Sequence, residues 1–329
     1  MLAAVFDWPG GIAIRDVPEP AAAGLALVRV GQAGICGTDL KLAAGDVPVP
    51  AGRVLGHEMS GWVARPGPRA EVPAGSPVLV NPAIFCGLCD LCRRDLPQLC
   101  RRGGLLGRDA DGCFAEYVAV DETLLHPLPD SVTATEAALL QVLSTCVHAQ
   151  SGVGPADSAV VVGLGVSGLL HLQLLRERGV RVIAGVTRSA WKRDLALRFG
   201  ATVVAAPEDA AAAVAEATGG HGADLAIECV GSGETLAMAM RLAGAGGTVV
   251  MFGIPPSADG MPTYDWYYKE LVIRCPRAAR PRDCDAAVRL CGRLDLAPLV
   301  TARFPLAQAA GALAASRDGG QLKVVLDIG

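Results

Sequence analysis

The stretch that most constrains how this chain can fold is an apolar run that leads into a glycine-rich turn. Ser158-Ala-Val-Val-Val162 is followed by Gly163-Leu-Gly-Val-Ser-Gly168 and then by a helical pattern from Leu169 to Arg178. In this order the glycines allow a tight turn and a close approach to a pyrophosphate, and the helix N-terminus favours its negative charge. The stretch predicts a dinucleotide site formed by Gly163, Gly165, Val166, Ser167 and Gly168.

Strand and helix patterns alternate after this turn. Strands are predicted near 180–184, 202–205, 224–229, 248–252 and 271–274, and helices near 190–199, 208–218, 234–242 and 264–270. Such alternation is typical of an α/β fold with a doubly wound parallel sheet. Beyond 277 the chain shows helical patterns at 283–293 and 308–317, and a last strand at 322–327.

The end of the second predicted strand of this sheet indicates which dinucleotide binds. An NAD site needs a carboxylate about twenty residues after the glycines to hold the ribose hydroxyls, and none lies between Glu177 and Asp194. Thr187 and Arg188 stand there instead, with Lys192 one helical turn further on. A hydroxyl beside a guanidinium suits a 2′-phosphate. We therefore expect NADP in preference to NAD, the alternative being an ordinary basic helix start.

The first half of the chain predicts a different kind of domain. Short β-prone runs near 3–6, 26–30, 54–63, 78–80 and 115–120 are separated by glycines and prolines. Regular short strands with turn signals favour a barrel-like β domain. Because 329 residues exceed the usual size of a single core, we expect two domains.

Four cysteines in this half have the spacing of a structural zinc site. Cys86, Cys89, Cys92 and Cys100 fall within fifteen residues of one another. Four thiolates fill a tetrahedral zinc shell and leave no position for substrate. Their excess negative charge would be offset by the arginines that follow in sequence, which are Arg93, Arg94, Arg101 and Arg102. Apart from Cys36, which is discussed next, the six other cysteines share no ligand spacing, and we expect them to be buried packing residues.

A second candidate metal site combines three different donors. Cys36 lies in Gly-Ile-Cys-Gly-Thr-Asp, and His57 and Glu58 follow Gly56 in a glycine-rich turn after a β-prone run. A thiolate, an imidazole and a carboxylate suit zinc, and three ligands leave one position open for catalysis. Asp39 would then accept the free ring N–H of His57, and Thr38 would pass a proton from the bound alcohol.

Charge and cysteine content exclude several classes of protein. The net charge is −4 and no basic run is present, so we expect no nucleic-acid partner. The longest apolar stretch, 158–175, contains glycines, His171 and Gln173, which argues against a membrane span. Eleven cysteines without a secretion signal indicate metal binding and a cytoplasmic protein. The excess of arginine over lysine suggests a bacterial source.

Taken in order, these motifs resemble the medium-chain, zinc-dependent alcohol dehydrogenase family, in particular its sorbitol and polyol branch. The resemblance covers essentially the whole chain and also includes Phe114-Ala-Glu-Tyr117. It implies a GroES-like β-barrel catalytic domain at 1–151 and 277–329, and a Rossmann domain at 152–276. It further implies that Cys36, His57 and Glu58 hold a catalytic zinc, and that the chain forms a homodimer or homotetramer.

Three positions depart from the family pattern. Gln141 stands where many relatives carry a Glu, Asp or Cys, and we assign it to hydrogen bonding or loose coordination at the zinc. Lys41 replaces a histidine that often ends the proton relay, so that Thr38 would reach solvent directly. Cys113 replaces a common glycine.

The resemblance implies hydride transfer between NAD(P) and a small-molecule secondary alcohol, polyol or cyclitol, or its ketone, and bacterial secondary metabolism is one setting that fits. Two zinc ions per chain are expected, one catalytic and one structural. Two alternatives stay open: a zinc-free reductase of the same fold that acts on conjugated double bonds or quinones, and a non-catalytic NADP-binding protein.

Overall fold

The computed structural model describes residues 1–7, 11–257 and 261–329. Seventeen strands occur within these ranges. They are β1 Leu2–Phe6, β2 Ile12–Asp16, β3 Ala26–Gly34, β4 Glu58–Arg65, β5 Pro77–Val80, β6 Ala83–Ile84, β7 Gly104–Leu105, β8 Tyr117–Val120, β9 Leu125–Pro127, β10 Ser158–Val162, β11 Val182–Val186, β12 Val203–Ala205, β13 Ala223–Glu228, β14 Ala243–Met251, β15 Val272–Arg274, β16 Val300–Pro305 and β17 Lys323–Asp327.

Ten α-helices lie in the same described ranges. They are α1 Gly37–Ala44, α2 Asp90–Arg93, α3 Ala134–Ser151, α4 Val166–Glu177, α5 Ala190–Arg198, α6 Ala210–Ala217, α7 Gly233–Leu242, α8 Thr263–Lys269, α9 Pro281–Leu290 and α10 Ala309–Arg317. None of the helices described here is both long and apolar enough to cross a membrane.

The chain divides into two compact units, Met1–Thr145 with Ala278–Gly329, and Cys146–Arg277. The sequence analysis drew the first boundary at Ser151, whereas the structure changes unit earlier, inside α3. The difference arises because α3 is one continuous helix, so no loop or change of composition marks the boundary.

The first unit is built on a mainly antiparallel sheet, in which β16 and β17 pair in parallel. Its strands run in the order β16, β17, β3, β4, β5 and β9, with β8 also paired to β3. Strand β3 is nine residues long and nearly all of it is buried, so it forms the centre of this sheet. An apolar core that includes Val28, Val30, Met59 and Val78 packs beneath it.

The second unit is a six-stranded parallel sheet in the order β12, β11, β10, β13, β14, β15. This is the order of a dinucleotide-binding doubly wound sheet, in which ligands bind at the carboxyl ends of the strands where the order reverses. The reversal lies between β10 and β13, and β10 is buried along its whole length. The predicted fold class is therefore confirmed.

Several elements differ from the sequence-based predictions. The strand expected at 54–63 begins only at Glu58, so that Glu58 is the first residue of β4 instead of lying in a turn. Helices α1 and α3 were not predicted. Helix α3 is buried on nearly every side, so it lacks the polar stripe that reveals a surface helix. Cys275 is exposed, contrary to the expectation that it packs inside.

Candidate active site

Cys36, His57 and Glu58 come together because β3 and β4 are antiparallel neighbours. Gly34 pairs with Glu58, which places the turn after β3 beside the first residues of β4. One ligand atom from each of the three side chains lies within 4.8 Å of the others. His57 and Glu58 are buried and Cys36 is half-buried. Sulfur, nitrogen and oxygen at this spacing fit a zinc ion.

Two glycines provide the space for this cluster. A Cβ at Gly34 would lie 2.5 Å from Cε of Lys323 and 2.6 Å from Oε2 of Glu58. Gly56 has a φ of +90°, and a Cβ there would lie 2.3 Å from the ring of Phe114. Larger residues at either position would displace the side chains that form the cluster.

Asp39 connects two members of the cluster. It is fully buried, and its Oδ2 accepts a hydrogen bond from the backbone N–H of Cys36 at 2.9 Å. Its Oδ1 lies 3.2 Å from Nδ1 of His57, although the two atoms are not aligned for a good hydrogen bond. Burial alone lowers the pKa of His57, but Asp39 and Cys36 outweigh it and raise this pKa well above its usual value. A metal ion at this site would therefore compete with a proton.

Lys323 is a member of the site that the sequence analysis missed. It begins β17, is only 4% exposed, and forms a buried ion pair with Oε2 of Glu58. Its ammonium group also donates to the carbonyl of Ile35 at 3.0 Å. Burial opposes the charge, but Glu58 and Cys36 raise the pKa of Lys323 above its usual value. The pair leaves the other oxygen of Glu58 available to a metal.

Thr38 lies beside this cluster, whereas Gln141 lies on a different element. Thr38 lies in the first turn of α1, with its Oγ1 3.8 Å from the sulfur of Cys36. Gln141 is buried on α3, where its backbone carbonyl accepts a hydrogen bond from the hydroxyl of Ser144. In the described part of the chain its amide makes no hydrogen bond to the cluster, so coordination by Gln141 stays a prediction.

The four cysteines of the first unit form a second cluster. The sulfur of Cys89 lies 3.5 Å from that of Cys92 and 3.9 Å from that of Cys100, and the Cys86–Cys100 sulfur distance is 3.5 Å. Zn–S bonds of about 2.3 Å in a tetrahedron place sulfurs roughly 3.8 Å apart. The observed spacing therefore fits a closed, four-thiolate zinc site.

Backbone groups stabilise the negative charge of this cluster. Hydrogen bonds from the N–H groups of Leu88 and Cys89 lower the pKa of the Cys86 thiol to about 5. Burial and the neighbouring thiols raise the pKa of Cys92 to about 12, because another anion here needs a compensating cation. Of the four predicted arginines, Arg102 hydrogen-bonds to Cys86, whereas Arg101 forms a two-contact ion pair with Asp90.

In the second unit a cleft of about 590 Å³ opens beside the glycine turn. It is lined by Val162, Gly163, Leu164, Gly165, Val186, Thr187, Arg188, Lys192, Pro207, Glu208, Val230, Ser232, Glu234, Thr235 and Met238. Most of the residues predicted to bind the cofactor thus lie together. Val166, Ser167 and Gly168 instead form the first turn of α4. A Cβ at Gly168 would lie 2.0 Å from the carbonyl oxygen of Gly163, so this glycine serves close packing.

The basic residues predicted for the 2′-phosphate share this cleft with an acidic one. Thr187 and Arg188 follow β11, and Lys192 lies in α5 with its ammonium 5.2 Å from the ring of Trp191. Glu208, which precedes α6, also lines the cleft. The sequence analysis missed Glu208 because a carboxylate was expected only near the end of the second strand of the sheet. Glu208 lies in the loop after the third strand, β12.

Two protein families match the chain in sequence. Residues 22–130 match the alcohol dehydrogenase GroES-like domain, and residues 166–293 match the zinc-binding dehydrogenase family. Together the two matches cover more than half of the chain. The GroES-like match lies in the first unit, and the zinc-binding dehydrogenase match begins in the second.

Individual proteins match the chain along nearly its whole length. A 2-dehydro-3-deoxy-L-galactonate 5-dehydrogenase of Pseudoalteromonas atlantica is 32% identical, with 89% of this chain and 88% of that protein covered. A D-arabitol-phosphate dehydrogenase of Enterococcus avium is 30% identical, with 92% and 89% covered. The crystal structure of a zinc-binding dehydrogenase of Sinorhizobium meliloti bound to NADP is similar, with a TM-score of 0.91, 31% identity, and 99% of this chain and 98% of that chain covered. The chain therefore belongs to the medium-chain, zinc-dependent alcohol dehydrogenase family, whose members act on CH–OH groups.

Proposed function

We propose that this chain transfers a hydride reversibly between NADP and the carbon of a secondary alcohol, with a polyol, cyclitol or sugar-derived compound as the substrate class. The observation that carries the proposal is the convergence of Cys36, His57 and Glu58 within 4.8 Å, with Thr38 beside them. The names of the two relatives, a sugar-acid dehydrogenase and a polyol-phosphate dehydrogenase, support the same substrate class.

The residues of this site have separate tasks in the proposed reaction. A zinc ion bound by Cys36, His57 and Glu58 would supply Lewis acidity, which makes an alcohol easier to deprotonate. The hydroxyl of Thr38, which lies 3.8 Å from the sulfur of Cys36, would take the alcohol proton and pass it towards solvent. Asp39, 3.2 Å from the ring of His57, would orient that ring once the metal is bound, and Lys323 holds one oxygen of Glu58.

Metal analysis combined with activity tests this proposal. We expect two zinc ions per chain in the purified protein, and one each in Cys36→Ser and Cys100→Ser. Cys36→Ser should lose alcohol oxidation on a panel of polyols, cyclitols and sugar acids. Cys275→Ser is the matched control, because this exposed cysteine lies outside both clusters.

Two other outcomes of this experiment would replace the proposal. One zinc or none, with quinone or enone reduction that survives Cys36→Ser, would identify a zinc-free reductase. A chain that binds NADPH and two zinc ions but oxidises no member of the panel would be a non-catalytic binding protein.

The preference for NADP is a separate part of the proposal. Arg188 and Lys192 bring two positive charges to the cleft, and Glu208 brings one negative charge. We expect Arg188→Ser to weaken NADP binding by about 10-fold or more, the size of a lost charge-assisted hydrogen bond, with little effect on NAD. Glu208→Gln should shift the preference further towards NADP, because it removes a charge that repels the phosphate.

Dissociation constants for NADPH and NADH, measured by fluorescence titration, test these expectations. Arg289→Ser, an exposed substitution in the other unit, is the control for a general loss of positive charge. Tighter binding of NADH than of NADPH by the unmodified protein would contradict the assignment of Thr187, Arg188 and Lys192 to a 2′-phosphate.

We also infer that the protein assembles as a homodimer or homotetramer. Strand β15 ends the parallel sheet, and among the described residues it pairs only with β14. Its three residues are exposed, and two of them, Val272 and Ile273, are apolar. An exposed apolar edge strand is a surface that a second copy can cover.

A further inference from the structure

Glu228 is a buried carboxylate that the catalytic proposal does not use. It is the last residue of β13 and is fully buried. Its Oε1 accepts hydrogen bonds from the backbone N–H of Val230 at 2.6 Å, the N–H of Gly231 at 2.9 Å and the hydroxyl of Thr235 at 2.8 Å. A buried carboxylate is costly unless its oxygens are satisfied, and here N–H and O–H donors satisfy it.

The groups that Glu228 holds belong to the wall of the dinucleotide cleft. Val230, Ser232 and Thr235 all line that cleft, as the glycine turn does. Val230 packs directly on Gly163, since a Cβ at Gly163 would lie 2.4 Å from Cγ2 of Val230. A shift of Val230 would therefore change the shape of the cleft beside Gly163.

Glu228 also fixes the beginning of helix α7. The hydroxyl of Thr235 donates to Glu228, and the N–H of Thr235 donates to the hydroxyl of Ser232, which caps the helix. Without the side chain of Glu228, the hydroxyl of Thr235 would lose this acceptor, and the cap that Ser232 forms on α7 would be weaker. One carboxylate thus controls both the loop 230–232 and the first turn of the helix after it.

The backbone around Glu228 is closely packed. Gly231 has a φ of +85°, and a Cβ at Gly253 would lie 2.3 Å from the nitrogen of Gly231 and 2.6 Å from Oε2 of Glu228. The backbone N–H groups of Phe252 and Gly253 both donate to the carbonyl of Glu228, at 3.0 and 2.8 Å. The loop after Glu228 and the segment 252–253 therefore meet backbone to backbone beside the carboxylate.

We propose that Glu228 is a positioning residue for the cofactor, which holds loop 230–232 and the start of α7 in the shape that the dinucleotide needs. A loop that is already ordered loses less conformational freedom when the ligand binds, so binding is tighter. The inference rests on the proposed function, because it takes the occupant of the cleft to be NADP.

Binding of NADPH to zinc-loaded protein, measured by fluorescence titration, tests this role with four variants. Glu228→Gln should raise the NADPH dissociation constant about 10-fold, as expected for weakened hydrogen bonds to a charged group. Thr235→Val removes one donor without changing the shape of the side chain and should raise this constant about 3-fold to 10-fold. Thr235→Ser keeps the hydroxyl and should restore binding to within about 2-fold.

Thr202→Val is the matched control, because the hydroxyl of Thr202 bonds to the backbone of Ile183 in the same unit, and Thr202 does not line the cleft. It should leave the NADPH dissociation constant unchanged. Thermal unfolding without cofactor is measured in parallel, since a purely structural role would lower the unfolding midpoint without a selective loss of NADPH affinity.

The outcomes separate this inference from the proposed function. Suppose that the unmodified protein binds NADPH, and that the dissociation constants of Thr235→Val and of folded Glu228→Gln lie within 2-fold of its value. The role proposed for Glu228 is then wrong, and the proposed function stands. Equal losses in Thr235→Val and Thr202→Val would also overturn it. If the unmodified protein binds neither NADPH nor NADH, both proposals fail.

Discussion

At the scale of single residues, the Glu58–Lys323 pair shows how a buried negative charge is stabilised beside Cys36 and His57. Glu58 and Lys323 are 2% and 4% exposed, so neither charge is solvated by water. Each charge is tolerated because the other lies beside it, and the carbonyl of Ile35 takes a further ammonium hydrogen. Breaking such a pair on one side leaves an uncompensated buried charge.

We therefore expect Lys323→Met to lower the free energy of unfolding by roughly 3–5 kcal/mol. Lys323→Arg keeps the charge and should be milder, although its larger head group must fit beside Gly34. The double variant Glu58→Gln with Lys323→Met should recover part of the loss, since no charge then remains unpaired. Urea unfolding of the four proteins measures these differences. Lys323→Met as stable as the unmodified protein would show that water or a bound cation compensates the charge of Glu58.

The distance between partners along the chain explains which residues of this site the sequence reveals. Cys36, His57 and Glu58 form short local motifs whose donor chemistry is visible by itself. Lys323 lies 265 residues away from Glu58 and reaches it only because β17 lies beside β3. One signal was present: the chain has only four lysines, and this one opens an apolar strand. Only the pairing of β17 with β3 in the folded sheet connects Lys323 to Glu58, and the sequence alone does not give this pairing.

At the scale of elements, helix α4 carries a histidine that is fully buried among apolar residues. Nδ1 of His171 lies 2.9 Å from Nε2 of Gln150, and its ring packs edge-on against Phe252 with centroids 4.8 Å apart. Its Nε2 has no partner in the described part of the chain. Burial lowers the pKa of His171 to about 3, so the ring is neutral in the folded protein.

This burial predicts a specific loss of stability in acid. The unfolded chain binds a proton at His171 near pH 6.5, whereas the folded chain does so only near pH 3. Stability from the neutral ring is thus complete above pH 6.5 and falls between these values, by at most about 1.4 kcal/mol per pH unit. His171→Leu should show a shallower decline in unfolding free energy from pH 6.5 to pH 5.

Urea unfolding at pH 8.0, 6.5 and 5.0 measures how the unfolding free energy of each protein depends on pH. Contributions from metal loss are common to both proteins and cancel in the comparison. His221→Leu is the control, because His221 is exposed in a loop of the same unit. Identical pH slopes for His171→Leu and the unmodified protein would mean that the folded protein accommodates a charged ring.

The elements that the sequence predicted well are those with one polar and one apolar side, or those marked by glycines. The alternating strands and helices after Gly163 were recovered with shifts of a few residues at their ends. Helix α3 was missed because its middle, 137–144, is wholly buried and carries no polar period. Strand β14 begins at Ala243 instead of 248, since its first part is rich in glycine and gives no strand signal.

At the scale of the whole molecule, the edge of the parallel sheet is the feature that an assembly would change. Strand β15 is exposed along its length, and helix α8, which precedes it in sequence, carries three tyrosines that are also exposed. A twofold axis through two copies of β15 would pair the strands antiparallel and extend the sheet across both chains. The same contact would remove the apolar edge from water.

We therefore predict that Val272→Lys weakens this assembly, because a charge on an edge strand opposes pairing. Val272 is 52% exposed, and Leu197 on α5 of the same unit is 49% exposed. Leu197→Lys is therefore a control that adds the same charge at a position of similar exposure. Sedimentation equilibrium should give a multiple of 33.7 kDa for the unmodified protein and for Leu197→Lys, and a smaller mass for Val272→Lys at low concentration. A monomeric unmodified protein would contradict the proposed oligomer. An unchanged mass in Val272→Lys would show that the copies meet through another surface, and the exposed tyrosines Tyr264, Tyr267 and Tyr268 would then be the next positions to replace.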